Sequence, residues 1–194
     1  MSAVLFSCPP FLARVMGSDD VPELQRFFEA NPEYFLATTG EAPGEDAARG
    51  EFEEGPPAGW PFGRKYMIRF DDGGGDMVAS AEVISDLLAD GVWHMGLFVV
   101  CTRLHGGGAA GKIHACLETW MRSSGAKWLR LGVVEGNARA ERFWKKSGYL
   151  ETRKREGVVA GRQVNTVRVL VKPLANGRLK EYLALVARDR PGAP

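Results

Sequence analysis

The sequence predicts one mixed α/β domain, a mostly antiparallel sheet interrupted by a single central β-α-β crossover. Three observations carry that expectation. Three strand-like runs follow one another across tight turns: "KYMIRFD" (Lys65–Asp71), "DMVASAEVIS" (Asp76–Ser85) and "VWHMGLFVV" (Val92–Val100). A glycine-rich stretch, "HGGGAAGKIH" (His105–His114), then leads into an amphipathic helix and a further strand, "KWLRLGVV" (Lys127–Val134). The length of 194 residues suits one domain, and such a chain buries about 70% of its unfolded surface.

The elements follow in order. "FLARVM" (Phe11–Met16) reads as the first strand. In "SDDVPELQRFFEANPEYF", Val21, Leu24, Phe27 and Phe28 fall at helical spacing, Asp19 or Asp20 is the expected cap, and Pro22 suits the first turn. Asn31-Pro32 ends that helix or turns it into a second. Residues 38–63 are rich in Gly, Pro and acid and read as a long loop with one or two helical turns around Ala47–Glu53. "DDGGG" and "LADG" are the turns of the meander. After the glycine stretch, Ile113, Cys116, Leu117, Trp120 and Met121 mark one helix face, which Gly125 closes. Asn137 is a good cap for a helix carrying Ala140, Phe143 and Trp144, and Gly148 ends it. "YLETRKR" and "QVNTVRVLVK" make a last hairpin across "EGVVAG". The domain is expected over residues 1–173. The tail 174–194 is expected to hold one short helix and then fray, or to cover a partner's sheet edge in a homodimer.

Composition excludes several classes. The chain is 45% hydrophobic and 25% charged with a formal net charge of +1, which gives no basis for nucleic-acid or membrane-surface binding. No apolar run approaches the ~20 residues of a membrane span. The apolar start, "MSAVLFSCPPFLARV", lacks a basic segment and is interrupted by Pro9-Pro10, which argues against a leader and for the cytoplasm. Cys8, Cys101 and Cys116 are too few and scattered for a disulfide framework or a metal site and are expected as free thiols.

The glycine stretch points to phosphate, because glycines let backbone N–H groups approach an anion and the following helix offers its positive end. Gly106 and Gly111-Lys112 complete the start of a nucleotide-binding P-loop. Against that reading, Ile113 stands where Ser or Thr would hold Mg²⁺, Glu135 is poorly placed for a metal-binding acid, and the preceding meander is the wrong topology. A plain surface turn is the remaining bland alternative.

"LFVVCTRLHGGGAAGKIHACLETWM" together with "KWLRLGVVEGNARAERFWKKSGYLE" resembles the GNAT superfamily of acetyl-CoA-dependent N-acetyltransferases. The first segment resembles the family's Q/R-x-x-G-x-G/A motif in two registers. Arg103 with Gly106 and Gly108 matches the letters. His105 with Gly108 and Ala110 keeps Phe98, Val100, Ile113 and Leu117 in phase and is preferred, with His at the Gln/Arg position. Asn137-x-x-Ala140-x-x-Phe143-Trp144-x-x-x-Gly148-Tyr149 resembles N-x-x-A-x-x-F-Y-x-x-x-G-F.

The resemblance implies a cleft where two parallel strands splay, Val92–Val100 and Lys127–Val134. It implies acetyl-CoA as cosubstrate, with the pantetheine arm along Phe98, Val99 and Val100. The pyrophosphate would lie over His105, Gly106, Gly107, Gly108, Ala109, Ala110 and Gly111. Asn137, Ala140, Phe143 and Trp144 would lie on the far side. The family often uses the Tyr of its F-Y pair as proton donor to the thiolate; Trp144 stands there, and an indole N–H is no practical acid.

For the base, His94 on the cofactor strand is the first candidate, since histidine titrates near neutrality. Glu82 on the preceding strand is the second. His114, Cys101 and Cys116 read as structural. The acidic segment Glu41–Glu54 with Tyr34, Phe35, Trp60 and Phe62 hints at a cationic amine with an apolar part. The expected activity is acetyl transfer to the primary amine of a small molecule or peptide. A non-catalytic acyl-CoA sensor and a P-loop nucleotide binder are the alternatives.

Overall fold

The computed structural model describes residues 4–174 and 176–193; the ends and residue 175 of the predicted domain and tail lie outside them. The chain runs β1 (Val4–Cys8), β2 (Phe11–Val15), α1 (Val21–Ala30), α2 (Glu33–Thr39), α3 (Ala47–Glu53), β3 (Lys65–Asp71), β4 (Met77–Ile84), β5 (Val92–Val100), α4 (Ala109–Ser123), β6 (Trp128–Val134), α5 (Ala138–Lys146), β7 (Leu150–Ala160), β8 (Gln163–Pro173) and α6 (Leu179–Leu185). One sheet takes the order β1-β2-β3-β4-β5-β6-β8-β7. Every pair is antiparallel except β5–β6, which α4 connects as a parallel crossover.

Three elements differ from expectation. The first strand is β1, not Phe11–Met16: Pro9-Pro10 make the turn of a hairpin in which Cys8 faces Phe11. Phe6 of β1 stacks on Trp120 of α4 at 5.7 Å and meets Phe70 of β3 edge-on at 5.9 Å, which gives the strand an apolar reason to form. "EGVVAG" is not a turn. β7 runs on to Ala160, where the β-branched Val158 and Val159 pair with Asn165 and Val164. Asp20 precedes α1 but makes no side-chain cap; it accepts hydrogen bonds from Gly17 N (2.7 Å) and Arg69 (3.3 Å). Arg69, buried on β3, also donates to Asp71 (2.7 Å) and Glu23 (2.5 and 2.8 Å), tying α1 to the sheet.

The free-thiol expectation is corrected at two of the three cysteines. Cys8 and Cys116 form a disulfide, Cα atoms 5.8 Å apart, joining β1 to α4; Cys101 is the buried free thiol. A separation of 108 residues gives sequence spacing no way to show this pair, and the pairing removes cysteine usage as an argument for a reducing compartment. Unfolded, alkylated protein should therefore expose one thiol without reductant and three with it. Opening so long a loop should cost up to about 4–5 kcal/mol, read as a fall in melting temperature on reduction. Three reactive thiols in the untreated protein would contradict the link.

The tail does not fray. α6 and the turn Ala187–Asp189 dock on the protein's own sheet, where Tyr182 and Val186 pack with Val92, Trp128 and Val171. No helix among the described residues is long and apolar enough to cross a membrane.

Candidate active site

The site begins where the sheet breaks. β5 and β6 pair only from Val92↔Trp128 to Met95↔Leu131. On the other side of β5, Met95 pairs with Val83 and Leu97 with Glu82, so Gly96 is an extra, bulged residue. A Cβ at Gly96 would press on the Glu82 carboxylate and force it to shift, so glycine suits the close approach. A bulge bends its strand, and beyond it β5 and β6 diverge, with α5 facing the gap.

The glycine stretch sits at the mouth of this gap. Gly106 and Gly108 take φ of +79° and +82°, the left-handed region that suits glycine. Among the described residues, the backbone N–H groups of residues 106–111 donate to no acceptor, and they gather at the N-terminus of the 15-residue α4. His105 Nε2–H donates to the Val100 carbonyl (2.9 Å), and its Nδ1 accepts from Arg139 (2.9 Å). The imidazole is thus held against its own strand, and Arg139 brings a guanidinium over the loop. The sequence reading did not find Arg139. Its only signal is an arginine in the first turn of the helix that follows Asn137.

Of the residues expected at the cofactor, Phe98, Val99, Val100, His105, Gly106, Gly108, Ala110, Asn137, Ala140, Phe143 and Trp144 line one cavity of about 240 Å³. Gly107, Ala109 and Gly111 belong to the same loop and helix start without lining it. Asn31, Glu33 and Tyr34 close the cavity from the α1–α2 side. Asn137 caps α5 by accepting from Ala140 N at 3.2 Å. Trp144 is buried against Phe98 (5.7 Å), Phe143 (4.7 Å) and Tyr149 (5.2 Å) while also lining the cavity. His114 faces the Tyr149 hydroxyl at 3.1 Å, and burial pushes its pKa down to about 4. Lys112 lines a groove against Leu5, Phe6 and Ser7 of β1 instead of the glycine cradle, which removes the geometry a P-loop lysine needs.

A second cavity, about 400 Å³, continues from the first through Tyr34, Phe98, Asn137, Ala140 and Trp144 and follows the splayed strands. A third, about 200 Å³, joins the second at Pro57, Trp60 and His94, and its walls carry Glu51, Glu54 and Glu82. His94 therefore stands at a junction. Its Nδ1 lies 3.1 Å from the Arg130 carbonyl and 3.4 Å from the Arg130 guanidinium. The shorter contact needs Nδ1–H as donor, which leaves the Nε2 lone pair uncommitted. Burial, reinforced by the Arg130 charge, pushes the His94 pKa down to about 3. The expectation that His94 titrates near neutrality does not hold.

Glu82 pairs with Lys65 at 2.9 Å, and Lys65 also donates to the Glu51 and Glu54 carbonyls. Burial raises the Glu82 pKa against the pull of Lys65. The Glu51 carboxylate makes no hydrogen bond or ion pair among the described residues; burial and the Glu82 charge push it up to about 7. The sequence reading placed Glu51 only within an acidic stretch. In the same stretch Glu41 is taken by Arg162 (2.9 Å); of the flanking aromatics, Phe35 is buried in the core and Phe62 is exposed.

A family model described as "Acetyltransferase (GNAT) family" matches residues 24–149. The chain belongs to that family. The GNAT fold recurs in solved structures, at identities that speak to fold alone. An acetyltransferase from Thermus thermophilus is 20% identical with a TM-score of 0.66, covering 87% of this chain and 99% of its own. The ribosomal-protein-S18-alanine N-acetyltransferase from Escherichia coli is 14% identical with a TM-score of 0.63, covering 87% and 96%. The spermidine N-acetyltransferase from Vibrio cholerae, solved with CoA and spermine, is 13% identical with a TM-score of 0.63, covering 85% and 96%. No curated protein matches the sequence. As a GNAT member the chain is an acyltransferase.

Proposed function

We propose that the protein moves an acetyl group from acetyl-CoA to a primary amine by direct attack in a ternary complex. The observation that carries this is a run of three neighbouring cavities with shared walls, from the glycine cradle, along the broken β5–β6 ladder, to His94, Glu82 and Glu51. The cradle suits the CoA pyrophosphate: uncommitted amides, a helix N-terminus and the Arg139 guanidinium all favour anionic oxygens. Bound there, acetyl-CoA supplies an acetyl group already activated as a thioester.

The chain's own residues do the rest. Backbone N–H groups on the unpaired edge of β5 stabilise negative charge on the reacting carbonyl oxygen. An ammonium cannot attack, so a proton must leave. His94 Nε2, its lone pair uncommitted, accepts a hydrogen bond from the amine and orients it, and Glu51, pushed up to about 7, takes the proton. Glu82, paired with Lys65, keeps the Glu51 pKa high. Tyr34 lines both the cofactor cavity and the passage; its hydroxyl makes no hydrogen bond among the described residues and is the donor for the departing thiolate. The acceptor is the amine of a small molecule or peptide, and the protein works in the cytoplasm, where acyl-CoA is made.

Thermal shifts with acetyl-CoA, CoA and Mg-ATP side by side test the cofactor, because ligand binding to the folded state raises the midpoint. A rise with Mg-ATP alone would sink the reading. CoA binding without amine-dependent thiol release would make the protein a sensor instead. Glu51→Gln should lower kcat by about a hundredfold and remove an acid limb near pH 7. It also carries a stability signature. Native Glu51 binds its proton more tightly than the unfolded chain does between pH 4.5 and about 7, so its contribution to stability shrinks as pH rises through that window. The variant should melt higher than the parent above pH 7.

A further inference from the structure

We infer that the acceptor carries a carboxylate beside its amine, as an amino acid does, and that Arg155 with Arg188 recognises it. The inference rests on the acetyl-transfer reading and concerns which amine the passage admits.

The second cavity has an excess of positive charge on the side away from the cofactor. Arg130 and Arg155 line it, and Arg188 lies 3.7 Å over the ring of Trp60, which separates the second cavity from the third. Arg130 is already committed, buried and donating to both Asp189 oxygens at 2.7 and 3.0 Å. The Arg155 guanidinium makes no hydrogen bond or ion pair among the described residues, and the Arg188 guanidinium has no carboxylate partner there either. The hairpin that carries Arg155 does not lack acids. On the same hairpin Arg168 takes Glu135 (2.5 Å), Glu141 (3.1 Å) and Glu151 (2.6 Å), all away from the cavity. Burial, with the charges of Arg155 and Arg130, pulls the Arg188 pKa below the usual arginine value. Two half-buried guanidinium groups held without partners repel each other, and an anion between them relieves that repulsion.

The opposite pole lies across Trp60 and His94. There Glu51, Glu54 and Glu82 line the third cavity, and Glu82 is paired with Lys65. A substrate with charges of both signs aligns in this field. Its ammonium faces His94 and the carboxylates, and its carboxylate faces Arg155 and Arg188. A polyamine would instead set a second cation against Arg155. The cationic amine with an apolar part that the acidic stretch suggests thus accounts for the carboxylate-lined side, and the arginines add an anionic group to it.

The test compares acetyl-CoA-dependent thiol release with the common L-amino acids, the matching amino-acid amides and spermidine. The expected result is a kcat/KM at least about tenfold higher for acids than for amides. Arg155→Gln should bring that ratio close to one, mainly through KM for the acids, with amide rates and the CoA-induced thermal shift unchanged. Arg155→Lys should restore part of the ratio, and Arg188→Gln should act in the same direction, which covers the case where one variant folds poorly. Equal or better use of amides or spermidine would overturn this inference and leave acetyl transfer standing. An Arg155→Gln effect equal on acids and amides would overturn it as well. Absence of any CoA-induced shift would overturn the acetyl-transfer reading itself, and CoA binding with no amine acetylated would overturn both.

Discussion

Valine in place of Gly108 will abolish the CoA-dependent thermal shift and lower acetyl transfer by at least about a hundredfold, while the protein still folds. The reasons are separable. Gly108 holds φ at +82° at the N-cap of α4, a conformation a β-branched residue strongly resists. The strain alone should cost about 1–3 kcal/mol. No atom lies within 4 Å of where its Cβ would stand, so nothing in the core is disturbed. The new side chain instead projects beside the amides that should receive the pyrophosphate. Lys112→Ala is the matching control. Its side chain lines the groove against β1, so CoA binding should be unchanged. A Gly108→Val protein that binds CoA as tightly as the parent would detach the cradle from the cofactor.

Asp189→Ala is expected to be the most destabilising single change on the C-terminal side. It leaves Arg130, 4% exposed, without its bidentate partner, and removes the acceptor of the Tyr182 hydroxyl, 2.5 Å away. Breaking a buried pair from one side costs about 3–5 kcal/mol, on the order of a 10 °C fall in melting temperature for a domain of this size. The pH dependence has a definite sign. Burial pushes the Asp189 carboxyl up, but the Arg130 hydrogen bonds and charge outweigh it, and the pKa ends below its ordinary 3.8. Its contribution is therefore complete above pH 4 and lost as pH falls through the folded value. The variant should show a flatter acid limb in melting temperature. A loss under about 1 kcal/mol would mean that the tail is not anchored through this pair.

The strands that flank the cleft were legible because their patterns are local. β3, β5 and β6 fall within a residue of the runs read from alternation, and Asn137 caps α5 as its side chain predicts. The misreadings came from punctuation. Pro9-Pro10 looked like an end and is the turn between two strands. "EGVVAG" reads as the connection of the last hairpin, but its two valines extend β7 and leave the turn to Gly161-Arg162. The residues that line the first cavity could be read together because they lie on one loop and two adjacent elements. Arg139, Glu51, Arg155 and Arg188 could not, since each acquires its meaning from surroundings built by distant segments. His94 was found, but its proton affinity depends on burial and on Arg130 from the neighbouring strand, and neither is written near position 94.

The β5–β6 pairing, only four residues long, leaves the sheet with edges in its interior. An unpaired edge is normally a liability, because any passing strand can zip onto it. Here the aromatic side chains of α5 and the Tyr34 ring crowd the opening. A polypeptide strand would bring side chains that strike them. What fits is something that hydrogen-bonds like a backbone but is as thin as a thread. The same breach that would admit the proposed cofactor arm is thus shaped against strand addition, and the rings around it do for this interior edge what charges and bulges do for an outer one.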